Sequence, residues 1–240
     1  MNEYSAALAS WESGALGRAV VAAETRLLSE VCDDVFGLEI LQLGAWGADR
    51  ELLRVSRVRR QTLVASQATA LQCPDIFASI AGLPICSGSI DAVLLPHCLE
   101  IEPDPGAVLR EAERVLVGEG QLVILGFRPW SAWGLRAAAS RSGYPPGTSR
   151  LLSERRLRDW LALLGFEVSV TRHFLHVLPA EPRGDPARTP LAMLRRGIFN
   201  PLPAGGYLLR ARKRVYAPTP LRLRRREHAP LIGSLVNPSP

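Results

Sequence analysis

The stretch Ile90-Asp91-Ala92-Val93-Leu94-Leu95-Pro96, then Asp104-Pro105, and then the run to Gln121-Leu122-Val123-Ile124-Leu125-Gly126 decides the fold. Residues 90–95 are rich in strand formers and stop at a proline, which cannot donate to a sheet ladder. Asp104 before Pro105 reads as an N-cap and first helical position, because the carboxylate can accept from an orphan backbone N–H and the proline lacks one to lose. Val108, Leu109, Ala112, Val115 and Leu116 then form a stripe at helical spacing, and Gly118 reads as the C-cap. Both flanking strands are apolar at nearly every position, so each is buried on two faces. Strand, helix and strand of this kind predict a parallel sheet covered by helices on both sides.

The same pattern extends outward. Upstream, Leu16, Ala19, Val20, Ala23, Leu27 and Val31 follow helical spacing before a stop at Gly37, and Glu39 to Leu43 is a short strand entering a turn at Gly44. Asp49 to Arg60 reads as a helix, Thr62 to Ala65 as a second strand, and Ile76 to Ala78 as a weak third. Downstream, Ser153 caps a helix carrying Leu157, Trp160, Leu161 and Leu164, and Phe166, Val168 and Val170 alternate as a strand. A helix at Leu191–Arg196 and a last strand at Tyr207–Ala211 follow a proline-rich loop. The expected architecture is one doubly wound α/β domain over 37–217. A helical cap spans 1–36, a mobile connection 127–152, and a basic, proline-rich arm 218–240.

The 240 residues are 47% hydrophobic, enough for a sizeable core, and no uncharged apolar run reaches the ~18–20 residues of a membrane span. The start Met1-Asn2-Glu3-Tyr4 lacks the basic-then-apolar layout of a signal peptide, so the expectation is a cytoplasmic protein. Net charge is +6, but residues 1–125 hold 9 basic and 17 acidic side chains and residues 126–240 hold 20 and 6. Those halves carry −8 and +14. The basic excess thus falls on the second half, where Arg210, Arg212, Lys213, Arg214, Arg222, Arg224, Arg225 and Arg226 suggest phosphate attraction or a solvated extension. Cys32, Cys73, Cys86 and Cys98 are too scattered for a zinc site and read as buried free thiols. His173 and His176 lie on opposite faces of a strand, and no metal is expected.

The order of Leu83-Pro84, Ser89 to His97, Pro103-Asp104-Pro105 and Gly120 to Phe127 resembles the seven-stranded S-adenosylmethionine-dependent methyltransferases, in particular the small type 11 group. Arg128-Pro129-Trp130-Ser131-Ala132-Trp133-Gly134 looks like a proteobacterial subgroup. The resemblance covers residues 39–136 and, more weakly, extends to Tyr207. It implies a mostly parallel seven-stranded sheet with an antiparallel last strand, and S-adenosylmethionine bound at the carboxyl ends of the strands. The cofactor-binding positions it implies are Gln42, Gly44, Ala45, Trp46, Gly47, Ser66, Gly82, Leu83 and Pro96. The family's turn is acidic-x-Gly-x-Gly-x-Gly. Here Gln42 replaces the acid, Trp46 replaces a glycine, and Ser66-Gln67 replaces the acid that ends the second strand.

Residues Pro96 to Glu100 would line the acceptor side, with His97 the candidate general base, since an imidazole takes up a proton near neutral pH. Glu100 and Glu102 read as helix-entry or surface charges. Trp130 and Trp133, three apart, would share a face as part of a substrate lid. Two functions remain open. One is methyl transfer from S-adenosylmethionine to an unidentified acceptor, with Trp46 packed on the cofactor. The other is a catalytically silent form of this fold, with Trp46 filling a lost site and a partner such as RNA held by the basic C-terminal part.

Overall fold

Along β1 (Glu39–Leu43) and β4 (Ile90–Pro96), successive side chains enter two different cores. Ile40, Ala92 and Leu94 belong to one apolar cluster, and Leu41, Leu43, Val93 and Leu95 to the other. The period of two in the side-chain direction therefore divides each apolar run between the faces of a single sheet. The computed structural model describes residues 3–179 and 203–215.

The elements in chain order begin with helices α1 (Glu3–Ser13) and α2 (Ala15–Val31), strand β1, a single helical turn α3 (Glu51–Arg54), and strands β2 (Arg60–Ala65) and β3 (Ile76–Phe77). After β4 come the one-turn α4 (Cys98–Ile101), α5 (Pro105–Val115), β5 (Leu116–Phe127), α6 (Ala132–Ala139), α7 (Glu154–Leu163), β6 (Phe166–Phe174) and β7 (Gly206–Lys213). The seven strands lie in the order β3-β2-β1-β4-β5-β7-β6, and β7 alone runs antiparallel to its neighbours. Winding goes outward from β1 to β3, then resumes from β4 on the other side of β1. That reversal opens a crevice at the carboxyl ends of β1 and β4.

The capping expectations hold at α5 and α7. Asp104 accepts from the Ala107 N–H at 3.0 Å, and Ser153 from that of Arg156 at 3.3 Å. Several boundaries differ from the expectation. The helix expected over Asp49–Arg60 is one turn, because β2 already begins at Arg60. Gly118 is not a C-cap: α5 ends at Val115 and passes directly into β5, where a side chain at 118 would strike Val215. The connection 127–152 contains α6, capped by Ser131, whose Oγ accepts from Gly134. Cys32 and Cys98 are buried as expected, whereas Cys73 and Cys86 are exposed. The helix expected at 191–196 and the arm at 218–240 lie outside the described residues. Among the described residues, no helix is long and apolar enough to cross a membrane, and no cluster of side chains could hold a metal.

Candidate functional site

A cavity of about 890 Å³ opens at the switch point. Its floor is the carboxyl ends of β1, β2 and β4: Gly44, Ala45 and Trp46 after β1, Ser66 and Gln67 after β2, and Pro96 and Cys98 at β4. Its far wall comes from Pro129 and Trp130 after β5, from α6, and from the segment 140–151. Helix α1 roofs it through Ser5 and Leu8, and is pinned to both sides. Ser5 Oγ donates to Ala68 O at 3.5 Å, and Trp11 Nε1 to the Tyr144 hydroxyl at 3.1 Å.

The turn after β1 takes its shape from glycine and glutamine. Gly44 has φ +95° and Gly47 φ +86°, left-handed conformations that a side chain strains, and a Cβ on Gly44 would lie 3.1 Å from that of Cys98. Gln42 is fully buried and points its amide nitrogen at two carbonyls, Gly44 O at 3.0 Å and Trp46 O at 3.2 Å. A carboxylate has no N–H to donate there, so an acid at this position could make neither bond. The Gln42 carbonyl oxygen is buried without a partner among the described residues.

Behind the turn lies a sealed ionic cluster. His97, 0% exposed and at φ +54°, directs Nε2 to Glu24 Oε1 at 2.8 Å and Nδ1 to Glu100 Oε2 at 3.0 Å. The second oxygen of Glu24 accepts from Trp46 Nε1 at 2.8 Å, and that of Glu100 from Phe127 N at 2.6 Å. Burial by itself would lower the His97 pKa, but the Glu24 charge and the hydrogen bonds to Glu100 and Glu24 outweigh it and push it up to about 9. Burial raises Glu100 as well, against the pull of the imidazolium. Its two oxygens both face nitrogen donors, so the ionised carboxylate is the form the geometry favours. The charged ring lies between Trp46 and Phe127, each at a centroid distance of 4.2 Å, in an arrangement that suits a cation.

This placement corrects the reading of His97 as a base. The residue is closed off from the cavity, and both ring nitrogens are engaged by carboxylates. Glu100 is likewise no surface charge but 1% exposed. Of the expected cofactor residues, Gly44, Ala45, Trp46, Ser66 and Pro96 line the cavity, while Gln42, Gly47, Gly82 and Leu83 do not. Leu83 is tied to α5 instead: its N–H donates to Glu111 at 2.9 Å and its carbonyl accepts from Arg114 at 3.0 Å. Trp46 is 1% exposed, with its indole in the aromatic cluster. Trp130 and Trp133 do not share a face. Trp133 is buried against Phe127, whereas Trp130 precedes the α6 cap and stands 86% exposed at the cavity.

Glu12, Glu24, Ser5 and Leu8 entered no sequence-based site. A signal for Glu24 was present, since it falls four residues after Val20 and four before Leu28 on the buried stripe of α2. The titratable side chains that line the cavity are Glu102, Arg141, Arg150 and Cys98. Burial raises the pKa of Glu102 and that of the Cys98 thiol.

The basic residues of β7 and its end are neutralised. Arg210 pairs with Asp34, Arg212 with Glu119, Lys213 with Glu113, and Arg214 with Glu119 and Glu167. Arg222, Arg224, Arg225 and Arg226 lie outside the described residues.

Residues 23–124 match a family described as a methyltransferase domain. The uncharacterised protein YafS of Escherichia coli is 37% identical over 151 residues, covering 62% of this chain and 61% of its own length. The chain therefore spans less than two thirds of that relative. A solved S-adenosylmethionine-dependent methyltransferase from Archaeoglobus fulgidus superposes with TM-score 0.58 at 14% identity, over 81% of this chain and 94% of that one. The [4+2]-cyclase SpnF superposes with TM-score 0.51 at 20% identity, over 80% of each chain. At these identities the likeness is one of fold.

Proposed function

We propose, from the match of residues 23–124 to a methyltransferase domain, that this chain binds S-adenosylmethionine in the switch-point cavity and transfers its methyl group to an acceptor held against α6. The observation that carries this reading is the position of the cavity at the carboxyl ends of β1, β2 and β4 in a β3-β2-β1-β4-β5-β7-β6 sheet. The residues present fit the cofactor. The turn at Gly44 has no Cβ to hinder close approach, Ser66 and Gln67 offer a hydroxyl and an amide to sugar hydroxyls, and Ile80 and Pro96 give an apolar surface for a purine. The cluster behind the turn holds two carboxylates against one imidazolium, a net negative charge that favours a cationic ligand.

When bound, S-adenosylmethionine supplies a methyl group on a positively charged sulfur, an electrophile with a good leaving group. The chain's task is then to align the acceptor and keep water out. Leu8, Ile80, Ile101 and Leu135 supply apolar walls. Alignment of two reactants lowers the barrier by up to roughly 7–11 kcal/mol in favourable cases. Cys98 lines the cavity, but burial keeps it as the inert thiol. Glu102 is the carboxyl group on the wall, and its raised pKa makes it the stronger base for an acceptor that must lose a proton.

Equilibrium dialysis with radiolabelled S-adenosylmethionine tests the reading. Saturable binding by the full chain, abolished by Gly44→Val, supports it. Saturable binding untouched by that change places the cofactor elsewhere.

The alternative, a silent fold with a nucleic-acid partner, receives nothing from β7, whose cations are paired. Such contact falls to Arg222 and Arg224–Arg226. Salt-dependent RNA binding lost on deleting residues 218–240 would favour it.

A further inference from the structure

The far wall of the cavity carries an unbalanced charge. Arg141 and Arg150 both line it, and the only acidic side chain on the lining among the described residues is Glu102. Arg50, Arg114, Arg158 and Arg212 each find an acid. Arg141 and Arg150 are exposed and make no ion pair or side-chain hydrogen bond among the described residues. Their backbone is nonetheless held. The N–H groups of Ser149 and Arg150 donate to the Glu100 carbonyl at 2.7 and 3.3 Å, which ties that end of the segment to α4. Gly143, at φ +77°, folds against Thr148, and the Gly147 N–H donates to Ser142 O at 3.2 Å. The two arginines thus stand at either end of one folded loop. On the same wall Trp130 and Leu135 are 86% and 72% exposed, an apolar surface left in water beside two unmatched cations.

Resting on the cofactor reading above, we propose that the acceptor is a small anion with an apolar body. Arg141 and Arg150 hold its carboxylate, sulfonate or phosphate group, and its body lies on Trp130 and Leu135. A guanidinium presents a planar fork of N–H donors that matches such oxyanions, and an indole face gives a flat apolar body a large contact area. The cavity of about 890 Å³ lies at the upper end of the roughly 300–1,000 Å³ usual for ligand pockets, which gives room for a small molecule beside the cofactor.

Fluorescence titration of the full chain compares anilinonaphthalenesulfonate with N-phenylnaphthylamine, its neutral counterpart. Saturating S-adenosylhomocysteine is present throughout, to fill the cofactor's share of the cavity. The wild type should bind the sulfonate about tenfold more tightly than the amine or better, as expected for charge-assisted hydrogen bonds. Replacing both arginines, Arg141→Gln with Arg150→Gln, should erase that difference by weakening the sulfonate alone. Trp130→Ala should weaken both probes, since it removes surface and not charge.

Equal binding of the two probes by the wild type overturns the proposal, and so does a double variant that keeps the difference. Arg155→Gln, at an exposed position on α7 away from the cavity lining, should change neither affinity. An equal loss there also overturns the proposal, because general attraction to positive charge would then suffice. Should the double variant not fold, the single variants decide: each must narrow the difference, and two that leave it intact overturn the proposal. The cofactor reading fails separately. Arginine-dependent binding of the sulfonate by a chain that takes up no S-adenosylmethionine in dialysis overturns that reading, and leaves an anion site that serves no methyl transfer.

Discussion

The two sides of the turn at 44–47 differ sharply in chemistry. The cavity side carries small and neutral groups (Gly44, Ala45, Ser66 and Pro96), with Glu102, Arg141 and Arg150 on its other walls. The buried side carries Glu12, Glu24, His97 and Glu100 within a stack of aromatic rings. The difference teaches that a residue type suited to catalysis is assigned by where its atoms end, not by its position in a motif. His97 follows β4 at the expected place, yet its positive φ turns the ring away from the cavity and into a space closed by Trp46 and Phe127.

The largest expected effect comes from breaking the buried side. His97→Leu removes the cation and leaves Glu24 and Glu100 buried without it, a loss of about 3–5 kcal/mol in denaturant unfolding. An equally stable variant would show that the cluster is not ionised.

The pH dependence of stability sharpens the same point. The raised pKa of His97, about 9 against an ordinary 6.5, contributes stability that is complete below pH 6.5 and lost as pH rises through 9. Glu12, raised from 4.5 to about 8, acts in the same direction, since the folded form retains a proton that the unfolded chain releases between those values. Unfolding free energy should therefore fall from pH 5 to pH 9, by on the order of 3 kcal/mol or more. Glu12→Gln should flatten the acidic part of that decline.

Gln42→Glu probes the junction of the two sides. It faces a carboxylate toward the carbonyls of Gly44 and Trp46 and should cost about 2–3 kcal/mol. At the cavity side the effect on folding should vanish. Trp130→Ala, at a position 86% exposed, should change stability by no more than about 0.5 kcal/mol while weakening acceptor use, read as a higher KM.

The sheet was legible because buried parallel strands leave apolar runs such as Val93 to Leu95 and Leu122 to Leu125, and because Asp104 and Ser153 cap helices through local bonds. The glycine turn and the neutral end of β2 could also be placed from the chain alone, since they follow directly from strand ends. The ionic cluster could not. His97 and Glu100 are close in sequence, but Glu12 and Glu24 come from α1 and α2, and only the packing of those helices on the sheet brings them to the residues after β4. The pairing of the β7 cations was hidden for the same reason, because their acids lie up to 176 residues away.

A crystal structure of the full chain with S-adenosylhomocysteine tests the central claim most directly. The ligand should lie at the carboxyl ends of β1, β2 and β4, against Gly44, Ser66 and Pro96. A ligand bound elsewhere, or an empty cavity at saturating ligand, would contradict it.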